Sequence, residues 1–388
     1  MNRRNFVTAA AGSLAAAARV LGANDRIRLG LIGTGGRCGA LSTHLKSLPG
    51  NEVILTSDVY QPRREAMAEK MGPQANPVRD YREVLDSKDI DGVVIASPDH
   101  WHARMVLDAI AAGKDVYCEK PVTHTIAEGE PLIAAVEKSG RVVATGTQQR
   151  SWDHFIQAKA LVEEGKLGQI ALAQCYWYQN YHRAQRPADA GGIDPAKLDW
   201  KTWLGSAPDQ PFAEIRYRRW RWFWDFGGGA FTDLMTHWID VIMWYMHSPT
   251  PRTVQAFGAV HVNHDLELPD TVNASLEFPQ NYTAVYTGTM IESLEDGGIV
   301  LRGTEAMMKL TRAGFEVYPE GKSRGAQLPP PEIAVKSTGD GTKTNLQNWL
   351  DCMRGRRQPN ANIRAGVEAA RASHLANQAM REGRRISL

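Results

Sequence analysis

Short runs of apolar residues alternate with amphipathic segments over residues 26–145. The apolar runs predict buried strands, and the segments with apolar residues every three or four positions predict helices. The predicted strands are IRLGLIG (27–33), EVILTSD (52–58), GVVIAS (92–97) and KDVYCEK (114–120). This strand–helix alternation is typical of a parallel, doubly wound α/β sheet with helices on both faces.

The pattern changes after about residue 150. The segments HFIQAKALVEEGKLG (154–168) and AFTDLMTHWIDVIMWYM (230–246) predict helices, the second of them strongly apolar. Between 253 and 319, short segments with alternating apolar residues predict a mostly antiparallel sheet with one open face. Two further helices are predicted near the C-terminus. We therefore divide the chain into a first domain over 24–150 and a second over 151–388. Packing of the final helices against the first domain is left open.

The first 23 residues are set aside from the fold. Arg3 and Arg4 stand before Asn5, Phe6 and an alanine-rich run that is too short and too weakly apolar to span a bilayer. A pair of arginines in this position resembles a twin-arginine export signal, with a cleavage point after Ala23. We expect a periplasmic or otherwise exported protein that uses the twin-arginine machinery and does not insert into the membrane. The alternative is a disordered basic N-terminus.

Composition narrows the class of protein. Hydrophobic residues make up 43% of the 388, charged residues 23%, and the formal net charge is +2, which is ordinary globular composition with no sign of a nucleic-acid partner. The four cysteines (Cys38, Cys118, Cys175 and Cys352) are scattered singly. Their spacing predicts neither a disulfide framework nor a zinc site, and we expect no bound metal.

A glycine-rich turn follows the first predicted strand and opens a helix. It consists of Gly33, Thr34, Gly35, Gly36, Arg37 and Cys38. Glycines there allow backbone N–H groups to approach a pyrophosphate at the helix N-terminus, and the small Cys38 replaces the last glycine of the usual motif. Asp58 ends the next strand, where a carboxylate binds a ribose 2′-hydroxyl and favours NAD. The neighbouring Arg63 and Arg64 leave NADP open.

Three motifs carry a resemblance to a known family. SPDHWH (97–102), CEKPV (118–122) and DLMTHWID (233–240) resemble the glucose–fructose oxidoreductase / inositol dehydrogenase / MocA (Gfo/Idh/MocA) family over nearly the whole chain after residue 23. The resemblance implies an N-terminal NAD(P)-binding Rossmann domain and a C-terminal α/β domain. It also implies a large, mostly antiparallel, open-faced sheet through which such chains form dimers or tetramers.

The same resemblance assigns catalytic roles. Lys120 matches the lysine beside the nicotinamide, and His237 matches the general base that takes the hydroxyl proton, a role suited to a group that titrates near neutrality. Asp233, four residues before His237, shares its helix face and either orients the substrate or tunes the histidine. A buried structural histidine is the alternative for His237. Pro121 is expected to follow a cis bond, and Asp240 to hold the helix against neighbouring backbone.

Further residues are expected around these. On the cofactor side they are Ser97, Pro98, His102, Glu119, Lys120, Pro121 and Gln148, and we assign His102 there rather than to a metal site. On the substrate side they are Arg150, Tyr178, Asn180, His182, Trp222 and Trp224. The stretch RYRRWRWFWDFGGG (216–229) interleaves basic and aromatic residues. It predicts the wall of a sugar pocket, with interdomain packing or an oligomer contact as the alternative.

Export and a nicotinamide site together restrict the function. An exported enzyme has no cytoplasmic NAD pool, so the cofactor has to travel bound within the folded chain and be restored in place. We expect an oxidoreductase that acts on a sugar or sugar-like polyol through a tightly bound NAD(P). A redox-neutral glycoside hydrolase (oxidation, elimination, hydration, re-reduction) is the alternative, and it needs no paired carboxylates. A carbohydrate-binding sensor without catalysis is the third class.

Overall fold

The computed structural model of the protein describes residues 26–181, 192–321 and 328–388. The first half of this chain forms a six-stranded parallel sheet in the order β3-β2-β1-β4-β5-β6. Its strands are β1 (Ile27–Ile32), β2 (Asn51–Ser57), β3 (Asn76–Val78), β4 (Gly92–Ile95), β5 (Asp115–Cys118) and β6 (Val143–Thr145). The connecting helices are Gly36–Ser47, Gln61–Met71, Tyr81–Asp86, Asp99–Ala111 and Gly129–Ser139. Every residue of β4 and β5 is buried, because helices cover both faces of the sheet. The predicted doubly wound sheet is confirmed.

A nine-stranded sheet organises the second half, in the order β14-β13-β12-β11-β7-β10-β9-β8-β15. Its strands are β7 (Ile170–Tyr178), β8 (Thr253–Ala259), β9 (Thr271–Phe278), β10 (Tyr282–Thr289), β11 (Gly297–Gly303), β12 (Ala306–Thr311), β13 (Gly314–Pro319), β14 (Ile333–Lys336) and β15 (Ile386–Ser387). Only β7 and β10 pair in parallel. Buried and more exposed residues alternate along β9 and β10, so one face packs on the core and the other is open. The predicted antiparallel, open-faced sheet is confirmed.

The remaining α-helices pack against the nine-stranded sheet, the parallel sheet or both. They are Asp153–Glu163, Trp200–Leu204, Glu214–Arg218, Thr236–Tyr245, Gly341–Gly355 and Ile363–Glu382. Helix Gly341–Gly355 places Trp349 in the core of the parallel sheet, 5.8 Å from Tyr117 between ring centroids. Helix Ile363–Glu382 contributes Val367 to that half of the molecule and Leu375 to the core of the nine-stranded sheet. The two halves are therefore joined by shared helices.

The strongly apolar helix differs from its prediction in one respect. It starts with a π-helical turn over Phe231–Met235 and becomes α-helical only over Thr236–Tyr245. Within the turn, the Thr236 hydroxyl donates to the Thr232 carbonyl at 2.8 Å and lies 2.8 Å from the Ser373 hydroxyl. A π-turn adds a residue to one turn, and it is frequent at functional sites. Among the described residues, no helix is long and apolar enough to cross a bilayer.

Candidate active site at the edge of the parallel sheet

The glycine loop after β1 lies directly against the end of β4. Gly33 has φ +77°, and a Cβ atom there would come within 2.6 Å of the Ser97 backbone nitrogen, so only glycine fits. A Cβ on Gly36 would meet nothing within 4 Å, and one on Gly35 would meet only the Arg63 guanidinium at 3.6 Å. The loop thus leaves open space in front of the N-terminus of helix Gly36–Ser47, where backbone N–H groups favour an anion.

Asp58 ties this loop to the end of β2. Its carboxylate accepts hydrogen bonds from the Thr34 backbone N–H at 2.8 Å and the Tyr60 backbone N–H at 2.9 Å. Burial raises the pKa of Asp58, and the nearby Arg63 opposes that rise. Cys38, in the first turn of the helix, is fully buried, and burial raises the pKa of its thiol to about 12. Its role there is close packing between helix and strand rather than thiol chemistry.

A cavity opens in front of the loop at the carboxyl edge of the sheet. The parallel-sheet half contributes Gly33, Gly35, Gly36, Arg37, Asp58, Arg63, Ser97, Pro98 and Trp101 to its lining. The second half of the chain contributes Thr202, Trp203, Tyr217, Arg218, Trp220 and Arg221. The carboxyl edge of a doubly wound sheet, where the strand order reverses, is the usual place for a ligand. The cavity therefore has walls from both halves of the molecule.

Lys120 and Asp233 form a buried ion pair that is joined to this cavity through Arg221. The Lys120 ammonium donates to the Asp233 carboxylate at 2.7 Å and to its backbone carbonyl at 2.5 Å, and the Lys120–Pro121 peptide bond is cis, as the sequence predicts. Arg221 donates to the same carboxylate oxygen at 3.1 Å. Burial alone raises the pKa of Asp233, but Lys120 and Arg221 outweigh it and lower the pKa to about 2. Asp233 is therefore ionised and neutralises only one of its two cations.

His237 lies one turn further along the same helical segment. It is buried, its ring centroid is 5.4 Å from that of Trp177, and its Nδ1 has no hydrogen-bond partner among the described residues. Burial lowers its pKa well below the usual value, and the positive charges of Lys120 and Arg312 lower it further. The imidazole is therefore neutral at pH 7 and able to accept a proton.

Two further contacts connect the predicted cofactor residues. The Arg37 guanidinium donates to the Glu119 carboxylate at 2.7 Å, which joins the glycine loop to the end of β5. His102 lies between two backbone carbonyls, with Nδ1 2.6 Å from the oxygen of Pro121 and Nε2 2.9 Å from that of Ser97. It thereby holds together the loops that follow β4 and β5.

Several predicted substrate residues are not brought to this cluster. Arg150 forms a buried ion pair with Asp240 at 2.9 Å. The prediction that Asp240 holds backbone is wrong, because its carboxylate binds this guanidinium instead. Burial raises the pKa of Asp240 to about 6, and Arg150 only partly offsets that rise. Gln148 is buried at the start of the 3₁₀ helix Gln148–Ser151, which also carries Arg150, and its Oε1 has no hydrogen-bond partner among the described residues.

The other described residues predicted to face the substrate are also not among those that contact Lys120, Asp233 or His237. Trp222 is fully buried, with its ring edge-on to Tyr181 at 5.1 Å. The Trp224 indole stacks against the Arg381 guanidinium at 4.6 Å and lines a separate surface cavity. Tyr178 alternates with Trp177 along β7, so it points to the opposite face from the residue that contacts His237. The Asn180 amide donates to the Ile291 carbonyl at 2.7 Å, and His182 lies outside the described residues.

The structure also brings residues to the site that the sequence did not single out. Arg221 belongs to the basic and aromatic stretch, but nothing in that pattern shows that it shares Asp233 with Lys120. The Tyr181 hydroxyl lies 3.4 Å from the other carboxylate oxygen of Asp233. Asp99, inside the SPDHWH motif, is buried near the same charges, and burial raises its pKa well above the usual value. A lysine cation, a shared carboxylate and a neutral imidazole together can hold a hydroxyl group and accept its proton.

Comparison with known proteins gives the family of the chain. A model described as "Oxidoreductase family, NAD-binding Rossmann fold" matches residues 27–147, and one described as "GFO/IDH/MocA C-terminal domain" matches residues 200–309. Together these matches cover more than half of the chain. They place an NAD-binding Rossmann fold in the part of the chain that carries the glycine loop, and the family's C-terminal domain in the part that carries Asp233 and His237.

Individual proteins extend the comparison. The chain is 34% identical to the uncharacterized oxidoreductase YrbE of Bacillus subtilis (strain 168) over 67% of this chain and 66% of that protein. It is 32% identical to an inositol 2-dehydrogenase of Salmonella paratyphi B over 33% of this chain and 40% of that enzyme, so it aligns with less than two-thirds of these relatives. The solved structure of a levoglucosan dehydrogenase with NADH and levoglucosan shares the fold, with a TM-score of 0.74 over 93% of this chain and 99% of that one at 18% identity. The chain belongs to the Gfo/Idh/MocA oxidoreductase family.

Proposed function

We propose that the protein oxidises a hydroxyl group of a sugar or sugar-like polyol by hydride transfer to a tightly bound nicotinamide dinucleotide, NAD in preference to NADP. The observation that carries the proposal is the buried pair of Lys120 and Asp233 beside a neutral His237. Arg221 joins this pair to the cavity in front of the glycine loop, because it lines that cavity and donates to Asp233. The sugar and polyol dehydrogenases among its relatives support the substrate class. Asp58 at the end of β2 supports NAD.

The residues present fit such a dinucleotide. The open space at Gly35 and Gly36 leaves the backbone of the helix N-terminus accessible to a diphosphate. Two buried polar atoms of residues that line this cavity, Arg37 Nη2 and Ser97 Oγ, have no partner among the described residues, although buried polar groups are normally hydrogen-bonded. When bound, the nicotinamide supplies the hydride acceptor.

Three side chains then divide the work on the substrate. Lys120 donates a hydrogen bond to the reacting hydroxyl and stabilises negative charge that develops on its oxygen. His237 takes the hydroxyl proton on an imidazole nitrogen, because its lowered pKa keeps it neutral before reaction. Asp233 holds the Lys120 ammonium in place and, with Arg221 beside it, leaves the cluster with one surplus positive charge.

A set of sugar reactions tests this proposal against its two alternatives. The purified protein is mixed with pairs of aldoses, ketoses and polyols, and products are identified without added NAD. Exchange of redox equivalents between two sugars supports the oxidoreductase. Release of phenol from a chromogenic glycoside with no net NADH would show the redox-neutral glycoside hydrolase instead. Sugar binding without either reaction would show the third alternative, a carbohydrate-binding sensor without catalysis.

We also propose that the chain is exported by the twin-arginine route with its cofactor already bound. The support is Arg3 and Arg4 ahead of the alanine-rich run. This route carries folded proteins, which allows a dinucleotide to be loaded before transport. Replacing both arginines by lysine is expected to keep the protein in the cytoplasm in cell fractionation. Unchanged localisation of that variant would contradict the proposal.

A homo-oligomer, dimer or tetramer, formed through the open face of the nine-stranded sheet is part of the same proposal. Phe257 on β8 is 64% exposed, although aromatic side chains of this size are usually covered. Phe257→Glu is expected to lower the molar mass measured by light scattering. A wild-type protein that is monomeric at micromolar concentration would contradict this assignment.

A further inference from the structure

The segment 193–222, here called the bridging segment, comes from the second half of the chain but lies along the cofactor cavity. Thr202, Trp203, Tyr217, Trp220 and Arg221 line that cavity opposite the glycine loop. For part of this stretch the sequence predicts the wall of a sugar pocket, with interdomain packing or an oligomer contact as the alternative. Its contacts with the parallel-sheet half show a more specific arrangement.

The first part of the bridging segment pairs with the end of β2. Tyr60 and Leu198 form an isolated antiparallel β-bridge, and the Asp199 backbone N–H donates to the Val59 carbonyl at 3.0 Å. The Asp199 carboxylate also lies 3.5 Å from the Arg79 guanidinium. These contacts lie next to Asp58, at the ribose end of the cavity.

The middle of the bridging segment is held by helix Asp99–Ala111. The Trp203 carbonyl accepts from the Trp101 indole N–H at 3.0 Å, and His100 Nε2 lies 3.1 Å from the same oxygen. Gly205 has φ +59°, and a Cβ atom there would lie 2.7 Å from the Trp101 ring, so the backbone packs flat against the indole. Trp101 and Trp203 both line the cavity, and the hydrogen bond between them holds the bridging segment to the helix.

The last part is held by Arg63, beside the glycine loop. The Arg63 guanidinium donates to the Tyr217 hydroxyl at 2.8 Å and lies 4.9 Å from the centroid of the Tyr217 ring. The same guanidinium is the group nearest to the open side of Gly35. Tyr217 is buried. Arg63 therefore binds the bridging segment at a point beside the glycine loop.

We propose that the bridging segment closes over the bound dinucleotide and sets the rate at which it leaves, with Tyr217 and Arg63 as the positioning residues. The inference rests on the proposed function, since it takes the cavity to hold a dinucleotide. A ligand between the glycine loop and the bridging segment leaves only after the β-bridge, the Trp203 contacts and the Arg63–Tyr217 contact separate. Each contact that has to break adds to the barrier for release, which appears in the dissociation rate rather than the association rate.

A reversible cross-link tests this directly. Antiparallel bridge partners have Cα atoms about 4.5–5.5 Å apart, within the range that a disulfide spans, so Tyr60→Cys with Leu198→Cys is expected to form one on oxidation. The four native cysteines are buried and free. Release of bound NADH is followed by its fluorescence after addition of excess NAD, with no sugar present. Release at least about tenfold slower in the oxidised than in the reduced protein supports the inference, and equal rates overturn it.

A milder variant makes the test independent of the cross-link. Tyr217→Phe removes the hydroxyl that Arg63 binds but keeps the ring, and release is expected to be about five- to tenfold faster, the size of one hydrogen bond. Tyr318→Phe is the matched control, since that hydroxyl donates to Glu316 on β13, and its release rate is expected to stay at the wild-type value. Equal release from Tyr217→Phe and wild type overturns the inference.

The outcomes also separate this inference from the proposed function. Slowed release in the oxidised protein, together with no reaction on any sugar, would leave the inference standing and overturn the proposed activity. If the protein oxidises sugars but neither the cross-link nor Tyr217→Phe changes the rate of NADH release, the inference is overturned and the proposed activity stands.

Discussion

Two buried carboxylates on one helical segment behave in opposite ways. Asp233 lies in the π-helical turn and has a pKa lowered to about 2, whereas Asp240, seven residues later, has a pKa raised to about 6. Both are almost fully buried, 6% and 0% exposed, so burial acts on both in the same direction. The difference lies in the number of cations, since among the described residues Asp233 binds Lys120 and Arg221 while Asp240 binds Arg150 alone.

This comparison shows how the number of neighbouring cations sets the charge state of a buried carboxylate. One guanidinium does not fully offset the rise in pKa that burial causes in a carboxyl group. An ammonium and a guanidinium together outweigh that rise, and their summed charge exceeds that of the carboxylate by one. In the proposed function, the surplus positive charge stabilises negative charge on the substrate oxygen. Burial, with the charges of Lys120 and Arg312 added to it, keeps His237 neutral. The pair at Asp240 carries no surplus charge and acts as an internal contact between the helix and the end of β6.

The largest effect is expected from removing Lys120, which leaves Asp233 with one cation, as at Asp240. Lys120→Ala is expected to lower hydride transfer by about 10³-fold or more, because the hydroxyl loses both its donor and its stabilising charge. Nicotinamide absorbance in single-turnover reactions measures the loss, and bound dinucleotide is measured in parallel and expected to stay. Lys166→Ala, in a surface pair with Glu332, is the control. Turnover of Lys120→Ala at the wild-type rate would contradict the assignment of Lys120 as the donor to the reacting hydroxyl.

An intermediate effect is expected at His237. His237→Asn keeps a polar side chain but no group that takes a proton near neutrality, so kcat/KM should fall by about 10²-fold. Because burial and Lys120 lower the His237 pKa, the wild-type acid limb should lie below about pH 6.5, the usual value for histidine. Falling pH through the lowered pKa protonates the imidazole and stops the reaction. The variant should lack this limb, and an unchanged limb would contradict the role of base.

The smallest effect on activity is expected at Asp240. Its pKa of about 6 is higher than that of an unfolded aspartate, so the folded state binds this proton more tightly than the unfolded state. Its contribution to the free energy of unfolding therefore falls as pH rises from about 4 to about 6, by on the order of 3 kcal/mol.

Asp240→Asn should remove that part of the pH dependence while kcat stays within about twofold. Denaturant unfolding across this pH range measures the difference between the two proteins. If the free energy of unfolding has the same pH dependence in the variant and the wild type, the pKa of Asp240 is not raised, and the described difference from Asp233 is wrong.

Much of the fold follows from local pattern alone. The segments TVNASLEF (271–278) and YTAVYTGTM (282–290) alternate buried and exposed residues and form β9 and β10 at nearly those bounds, because side chains on a strand face opposite sides in turn. β15 was missed, since two residues, Ile386 and Ser387, are too short to show a period. The π-turn was also missed, because one added residue hardly changes the apolar pattern of the helix.

The site could be predicted only in part. Lys120, Asp233 and His237 stand in motifs of known spacing, so a resemblance locates them. Arg221 and Tyr181 reach Asp233 through the folding of the segment before the helix, and no local pattern reports such a contact. Periodicity likewise shows that Asp240 is buried but not that its partner is Arg150, 90 residues away.

The most direct test of the account is to purify the protein without added cofactor, denature it, and identify what is released by mass and absorbance. We expect about one NAD or NADH for each folded chain, because the cavity between the glycine loop and the bridging segment retains it. A protein that releases no dinucleotide, and that binds NAD only loosely when it is added, would contradict the claim that a retained cofactor lets this enzyme work outside the cytoplasm.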